Sequence, residues 1–268
     1  MEETVFIPNG SDALCGVLYR PDLAPDCGLV MCHPLFEERK SAQRVMVEAA
    51  RSFAAAGGAV LRFDYRGCGD STGDFAAFGC ADWRADIAIA ARFLAGKTGA
   101  KRMGLLGLRL GASLALEAAA ANAGLAQFLV LWEPVLNGRR HFDQELRRKL
   151  VNEMVTFGQS RATRTSLLKD LERGQAIDLD GYAVTPRIFA EIGAIDLLQS
   201  ARRVTGKALL VRISRSGVAG PDLERLRETL TSGGTAADSI QVEEDPFWNL
   251  VGLVDCPTLI EQTKNWLI

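Results

Sequence analysis

Histidine is scarce in this chain: there are two among 268 residues, His33 and His141. The six cysteines (Cys15, Cys27, Cys32, Cys68, Cys80 and Cys256) show no C-x-x-C spacing. These shortages disfavour a zinc site, and no metal or organic cofactor is indicated. The thiols read as free, small hydrophobes of a reducing compartment. An excess of either charge is missing too, since 31 basic and 33 acidic side chains leave a net charge of −2. That balance gives no reason to expect nucleic acid or an anionic membrane surface as a partner. Apolar stretches are broken by charge or glycine well short of a membrane span. The opening "MEETVFIPNG" is acidic and has no apolar h-region, so no signal peptide is read and a cytoplasmic location is expected. Internal repeats and low-complexity linkers are not seen.

What is present suits one large α/β domain. Hydrophobic residues make up 48% and charged residues 24%, as in ordinary globular chains. A chain of this length buries about three quarters of its unfolded surface. Thr4–Pro8 and Ala13–Pro21 read as an opening hairpin turned by Asn9-Gly10. Further strands are expected at Gly28–Pro34, Ala59–Gly67, Arg102–Leu108, Ala126–Val135, Lys207–Ser214 and Ser239–Glu244. Helical patterns separate them at Ser41–Gly58, Asp82–Gly99, Leu110–Gly124 and from Gly220 to Gly234, and a last one closes the chain. The alternation predicts a mostly parallel sheet with helices on both faces. Residues 137–200 break the rhythm with charged helical patterns such as "FDQELRRKLVNEM". They are read as a cap inserted over the carboxyl ends of the strands, leaving 1–136 and 201–268 as the core.

Ligands of such sheets bind beyond the carboxyl ends of the strands. Three motifs converge there: "MCHPLFEERKS", "DYRGCGDSTGDF" and "GLLGLRLGAS". In this order they resemble the α/β-hydrolase superfamily. His33-Pro34 matches its oxyanion loop, Asp64-x-Arg66-Gly67-x-Gly69-x-Ser71 its D-x-R-G-x-G-x-S loop, and Gly107-x-Arg109-x-Gly111 the frame of its nucleophile elbow. More narrowly, "HPLFEERKSAQRVM", "GLRLGA" and "LWEPVLNGRRHFDQELRRKLVNEM" resemble the second type of hydrolase associated with the exosortase A protein-sorting system of Gram-negative bacteria.

The resemblance implies a Ser-His-Asp triad, and the residues depart from it. Arg109 stands where the nucleophilic serine is expected. A guanidinium is neither nucleophile nor general base. "RISRSGVAGPD", where the acid is expected, offers only Asp222, at the edge of the next helix. "VEEDPFWNLV", where the histidine is expected, has none. Conventional serine-esterase activity is therefore not expected.

Arg109 has two readings. In one it is a structural replacement, its charge met by an internal carboxylate: Glu133 first, then Glu37, Glu38, Glu244 or Asp245. In the other it binds an anion. A helix N-terminus disfavours a cation, and a bound carboxylate or phosphate removes that conflict. The candidate binding residues are His33, Pro34, Leu35, Arg109, Leu110, Glu133 and Trp248. Two function classes follow. One is a degenerate hydrolase relative that binds a small anionic or acyl ligand, or a protein partner through the cap. The other is an active hydrolase with an unconventional nucleophile, for which Cys68 or a water activated by Glu37, Glu38, Glu133 or Asp245 is the candidate. Asp64, Asp70 and Ser71 read as loop-ordering residues, and Trp132 as core or pocket wall.

Overall fold

Asn9-Gly10 turns the chain back on itself at its start, with Gly10 at φ +65°. β1 (Glu2–Asn9) and β2 (Asp12–Tyr19) pair antiparallel across that turn. The computed structural model describes residues 1–21, 23–160, 162–215 and 220–267. Apolar runs follow as β3 (Cys27–Cys32), β4 (Ala59–Phe63), β5 (Arg102–Leu108), β6 (Phe128–Trp132), β9 (Gly206–Ile213) and β10 (Thr235–Val242). The eight-stranded sheet has the order β1-β2-β4-β3-β5-β6-β9-β10. The pairs from β4 to β10 are parallel, and β2 pairs antiparallel with both neighbours. Its inner strands are buried on both faces, which explains why they read as unbroken apolar runs.

Two core layers flank the sheet. α1 (Phe36–Ala55) and α9 (Pro257–Leu267) cover one face around Val45, Phe53, Trp132 and Leu259. α2 (Cys80–Thr98), α3 (Leu110–Ala121) and α8 (Pro221–Ser232) cover the other around Trp83, Leu114 and Leu226. Between β6 and β9 run α4 (Gly138–Phe157), α5 (Arg164–Glu172), the hairpin of β7 (Ile177–Leu179) and β8 (Tyr182–Val184), α6 (Pro186–Gly193) and α7 (Leu197–Ala201). Phe142, Leu146, Ile188 and Ile192 of this segment join the core beneath it. Hence α4 is held in place over the strand ends and is not a free-standing arm.

One boundary departs from the sequence pattern in a way that matters. The helix expected from Ser41 starts at Phe36. Phe36 is buried against Phe75 and Tyr182. Glu37 and Glu38 then occupy the first helical turn, where the helix dipole favours acids. This extra turn carries Glu38 inward. Of the six cysteines, five are buried and Cys27 is partly so, all as free thiols.

Candidate active site

Arg109 sits between the end of β5 and the start of α3, at φ 54° and ψ −123°. Two glycines make this turn possible. A Cβ on Gly107 would lie 2.3 Å from the Ala112 Cα, and one on Gly111 would lie 2.3 Å from the carbonyl oxygens of Cys32 and His33. The elbow thus presses α3 against the end of β3. Strained backbone is concentrated here. Among the described residues, the non-glycine positive φ values belong to Phe36, Arg109, Glu133 and Asp180. The first three follow β3, β5 and β6 at their carboxyl ends, where strain marks functional sites in many folds.

The guanidinium of Arg109 is held from below. Its Nε donates to Glu38 Oε1 at 3.0 Å, and Glu38 is 2% exposed. Its Cζ lies 5.3 Å from the centroid of the Trp248 ring, within cation–π range. Among the described residues, its two terminal nitrogens donate to no protein group. The Arg109 side chain is 16% exposed and lines a cleft of about 650 Å³. Glu133, the carboxylate first expected to pair with it, is engaged elsewhere. It accepts from the Ile213 N–H at 2.8 Å and from Arg212 Nη1 at 3.4 Å, tying the end of β6 to that of β9. Burial raises the pKa of Glu133 against the pull of these donors. Burial likewise pushes Glu38 up to about 7, with Glu145 adding to the shift and Arg109 opposing it.

Two further side chains reach the same floor. His141 and Glu145 are four residues apart on α4, hence on one helical face. Both are 3% exposed, and their ligating atoms lie with that of Glu38 within 4.8 Å of one another. Glu145 accepts from Arg148 at 2.7 Å, and Arg148 also meets Asp180 at 3.1 Å. Burial, together with Arg109 and Arg148, holds His141 well below the usual histidine range. This grouping was not read from the sequence. Its one local signal was the His141-x-x-x-Glu145 spacing.

Of the other candidates, Trp248 shares the cleft with Arg109 and His33 does not line it. His33 faces a separate cavity of about 150 Å³ beside Asp64. Its Nδ1–H donates to the Pro34 carbonyl at 2.8 Å, and its Nε2 is 3.6 Å from Asp64 Oδ1. Burial and Arg39 lower its pKa to about 4, with Asp64 pulling the other way. Asp64 also accepts from Arg39 and from the Asp70 N–H, while Ser71 Oγ donates to the Asp64 carbonyl, so this loop is tied to itself. Leu35 and Leu110 are buried in the core. Cys68 is buried and its thiol is pushed up to about 12 by desolvation. Asp245 pairs with Arg215 at 2.7 Å, Glu37 with Lys40 at 2.7 Å, and Glu244 accepts from the Thr258 N–H at 2.8 Å. Trp132 is core, donating to Thr263, whereas Trp248 lines the cleft. Asp222 lies in the first turn of α8 and meets Arg140 at 3.4 Å. Residues 216–219, part of the stretch where the acid was sought, lie outside the described residues.

The elbow, the parallel sheet and the strand-end cleft point to one superfamily. The model of a family described as serine aminopeptidase, S33, matches residues 25–212. The chain belongs to that family. Its α/β-hydrolase fold is shared by Est1E from Butyrivibrio proteoclasticus, solved with ferulic acid bound. That likeness has a TM-score of 0.70 at 15% identity and covers 98% of this chain and 97% of that one. The Pyrococcus furiosus esterase Pf2001 is similar at a TM-score of 0.67 and 16% identity, covering 100% and 89%. DcsB, solved with its substrate analogue, is similar at 0.68 and 12%, covering 100% and 98%. No curated protein matches the sequence. Among the described residues, no helix is long and apolar enough to cross a membrane.

Proposed function

We propose that this chain is a non-catalytic member of its family, in which the nucleophile position has become the anchor for a small anion. The observation that carries this reading is the state of Arg109. Its Nε is fixed on a buried carboxylate, and its terminal nitrogens are left to an open cleft. A guanidinium presented this way is preorganised to grip a carboxylate or phosphate with two parallel hydrogen bonds. The N-terminus of α3 adds backbone donors and a favourable dipole for the same charge. Arg148 and Arg212 also line the cleft, each already paired. They shape the field without competing for the same oxygens. Trp248 and Pro246 give the cleft an apolar wall, which suits a ligand with an acyl or aromatic part. In Est1E the fold holds ferulic acid, itself an aromatic carboxylic acid.

In this reading residues 137–200 serve as the cap, and α4 supplies the cleft wall through Gln144, Glu145, Arg148 and Asn152. The finer resemblance supports a role in an exosortase-bearing bacterium, the acidic opening without an apolar h-region supports a cytoplasmic location, and a protein partner docking on the cap is a further role in this reading. The experiment is calorimetric titration with inorganic phosphate, acetate and a medium-chain fatty acid. Binding by the wild type that is lost in Arg109→Ala supports the reading. Equal affinity in both proteins overturns it.

The second reading keeps catalysis with an unconventional nucleophile. Cys68 is a poor candidate, being buried with a raised pKa. Glu133 has both oxygens engaged, and Asp245 is paired with Arg215. The buried Glu38–His141–Glu145 group is the arrangement that favours this reading, by holding a water beside Arg109. Turnover of short acyl esters and thioesters, unaffected by a thiol blocker and abolished by Glu38→Gln, would support it.

A further inference from the structure

We propose that Glu38, His141 and Glu145 form a divalent-metal site in the floor of the cleft. Their ligating atoms lie within 4.8 Å of one another, and all three residues are 2–3% exposed. Burial of three polar groups at one point demands partners for them. Yet Glu38 Oε2 and His141 Nδ1 are buried and have none. These two atoms, an imidazole nitrogen and a carboxylate oxygen, are the kinds of donor a metal ion takes.

The surroundings fit a metal's outer shell. Glu38 accepts from Arg109 Nε through its other oxygen at 3.0 Å. Glu145 gives Oε2 to Arg148 at 2.7 Å. Each carboxylate is thus oriented by a guanidinium, as metal-ligating carboxylates are by their own hydrogen-bond partners. Two carboxylates and one imidazole suit Zn²⁺ or Mn²⁺, with side-chain rotation drawing the donors in to about 2.0–2.2 Å for zinc. Glu38 and Glu145 also line the cleft, so remaining coordination positions open toward it. The shortage of histidine and of paired cysteines excludes a thiolate-rich zinc site, and a carboxylate-rich one needs neither. The occupant that competes for this space is a buried water bridging the three groups.

The test uses the full chain, stripped with a chelator. It is titrated with Co²⁺ by visible absorption and with Zn²⁺ and Mn²⁺ by calorimetry. The comparison proteins are His141→Gln and Glu145→Gln, each checked for folding by circular dichroism. If one of them fails to fold, the other carries the comparison. The inference expects one equivalent of metal per chain, a Co²⁺ spectrum without thiolate charge transfer, and affinity at least tenfold weaker in each variant. It also expects Zn²⁺ to raise the melting temperature of the wild type and not of the variants. No saturable binding, a thiolate-type spectrum, or unchanged affinity in the folded variants overturns it and leaves the cluster to water. Metal binding is the only readout, so its failure does not touch the anion reading of Arg109.

Discussion

Replacing Arg109 by alanine strips the buried Glu38 of its one hydrogen-bonded cation. Breaking a buried ion pair from one side costs about 3–5 kcal/mol, because the remaining carboxylate must stay desolvated or take up a proton. Alanine keeps a Cβ at φ 54°, so the backbone strain of the elbow persists. Arg109→Gly relieves it and is expected to be the milder change by about 1–3 kcal/mol. For a chain of this size, about 2–4 °C of melting temperature goes with each kcal/mol, so Arg109→Ala should melt roughly 6–20 °C below the wild type. Glu38→Gln removes the buried charge, and the double variant should recover part of the loss, with a coupling energy of about 0.5–3 kcal/mol. Thermal and urea melts of the four proteins complete the cycle. Arg109→Ala within about 0.5 kcal/mol of the wild type, as for an ordinary surface change, together with no coupling to Glu38, would refute the reasoning.

Other outcomes follow from the same geometry. Arg109→Ser creates the G-x-S-x-G motif of a serine hydrolase, yet no ester turnover above background is expected, since the sequence after β10 brings no histidine to the elbow; a p-nitrophenyl ester assay checks this. Gly111→Ala forces a Cβ onto the carbonyls of Cys32 and His33 and should destabilise by about 1–3 kcal/mol or more in urea unfolding. His33 is neutral when folded, with its pKa lowered to about 4, whereas the unfolded chain titrates it near 6.5. Protons therefore favour the unfolded state between those values. Stability should fall as pH drops through that window, by at most about 1.4 kcal/mol per pH unit from this residue, and His33→Gln should flatten the slope. Cys68, buried with its thiol pushed up to about 12, should resist alkylation in the native fold and react once denatured, as read by mass spectrometry.

The fold was legible because its signals are local. The Asn9-Gly10 turn, the unbroken apolar strands and the Gly107-x-Arg109-x-Gly111 frame each state their geometry within a few residues. Arg109 at the centre of that frame was legible for the same reason. What stands beneath Arg109 was not. The helix was read from Ser41, and with Phe36 buried against Phe75 and Tyr182 α1 begins at Phe36, with Glu37 and Glu38 in its first turn. That turn places Glu38 under the elbow, ahead of the favoured Glu133. Glu133 lies next in the strand order, yet its backbone turn directs it to Ile213 and Arg212. His141 and Glu145 share a helix face by their spacing, but only the packing of α4 over the strand ends brings that face to Glu38. His33 belonged to a motif by resemblance, and the structure sets it beside Asp64 in its own cavity.

The measurement that bears most directly on the role of Arg109 is a crystal structure of the wild type grown with phosphate or a short carboxylate, at a resolution that places the guanidinium. The account predicts the Nε–Glu38 contact kept, with an anion accepting from both terminal nitrogens in an open cleft. Terminal nitrogens turned onto Glu145 or another internal carboxylate, with side chains filling the cleft and no anion beside them, would contradict it.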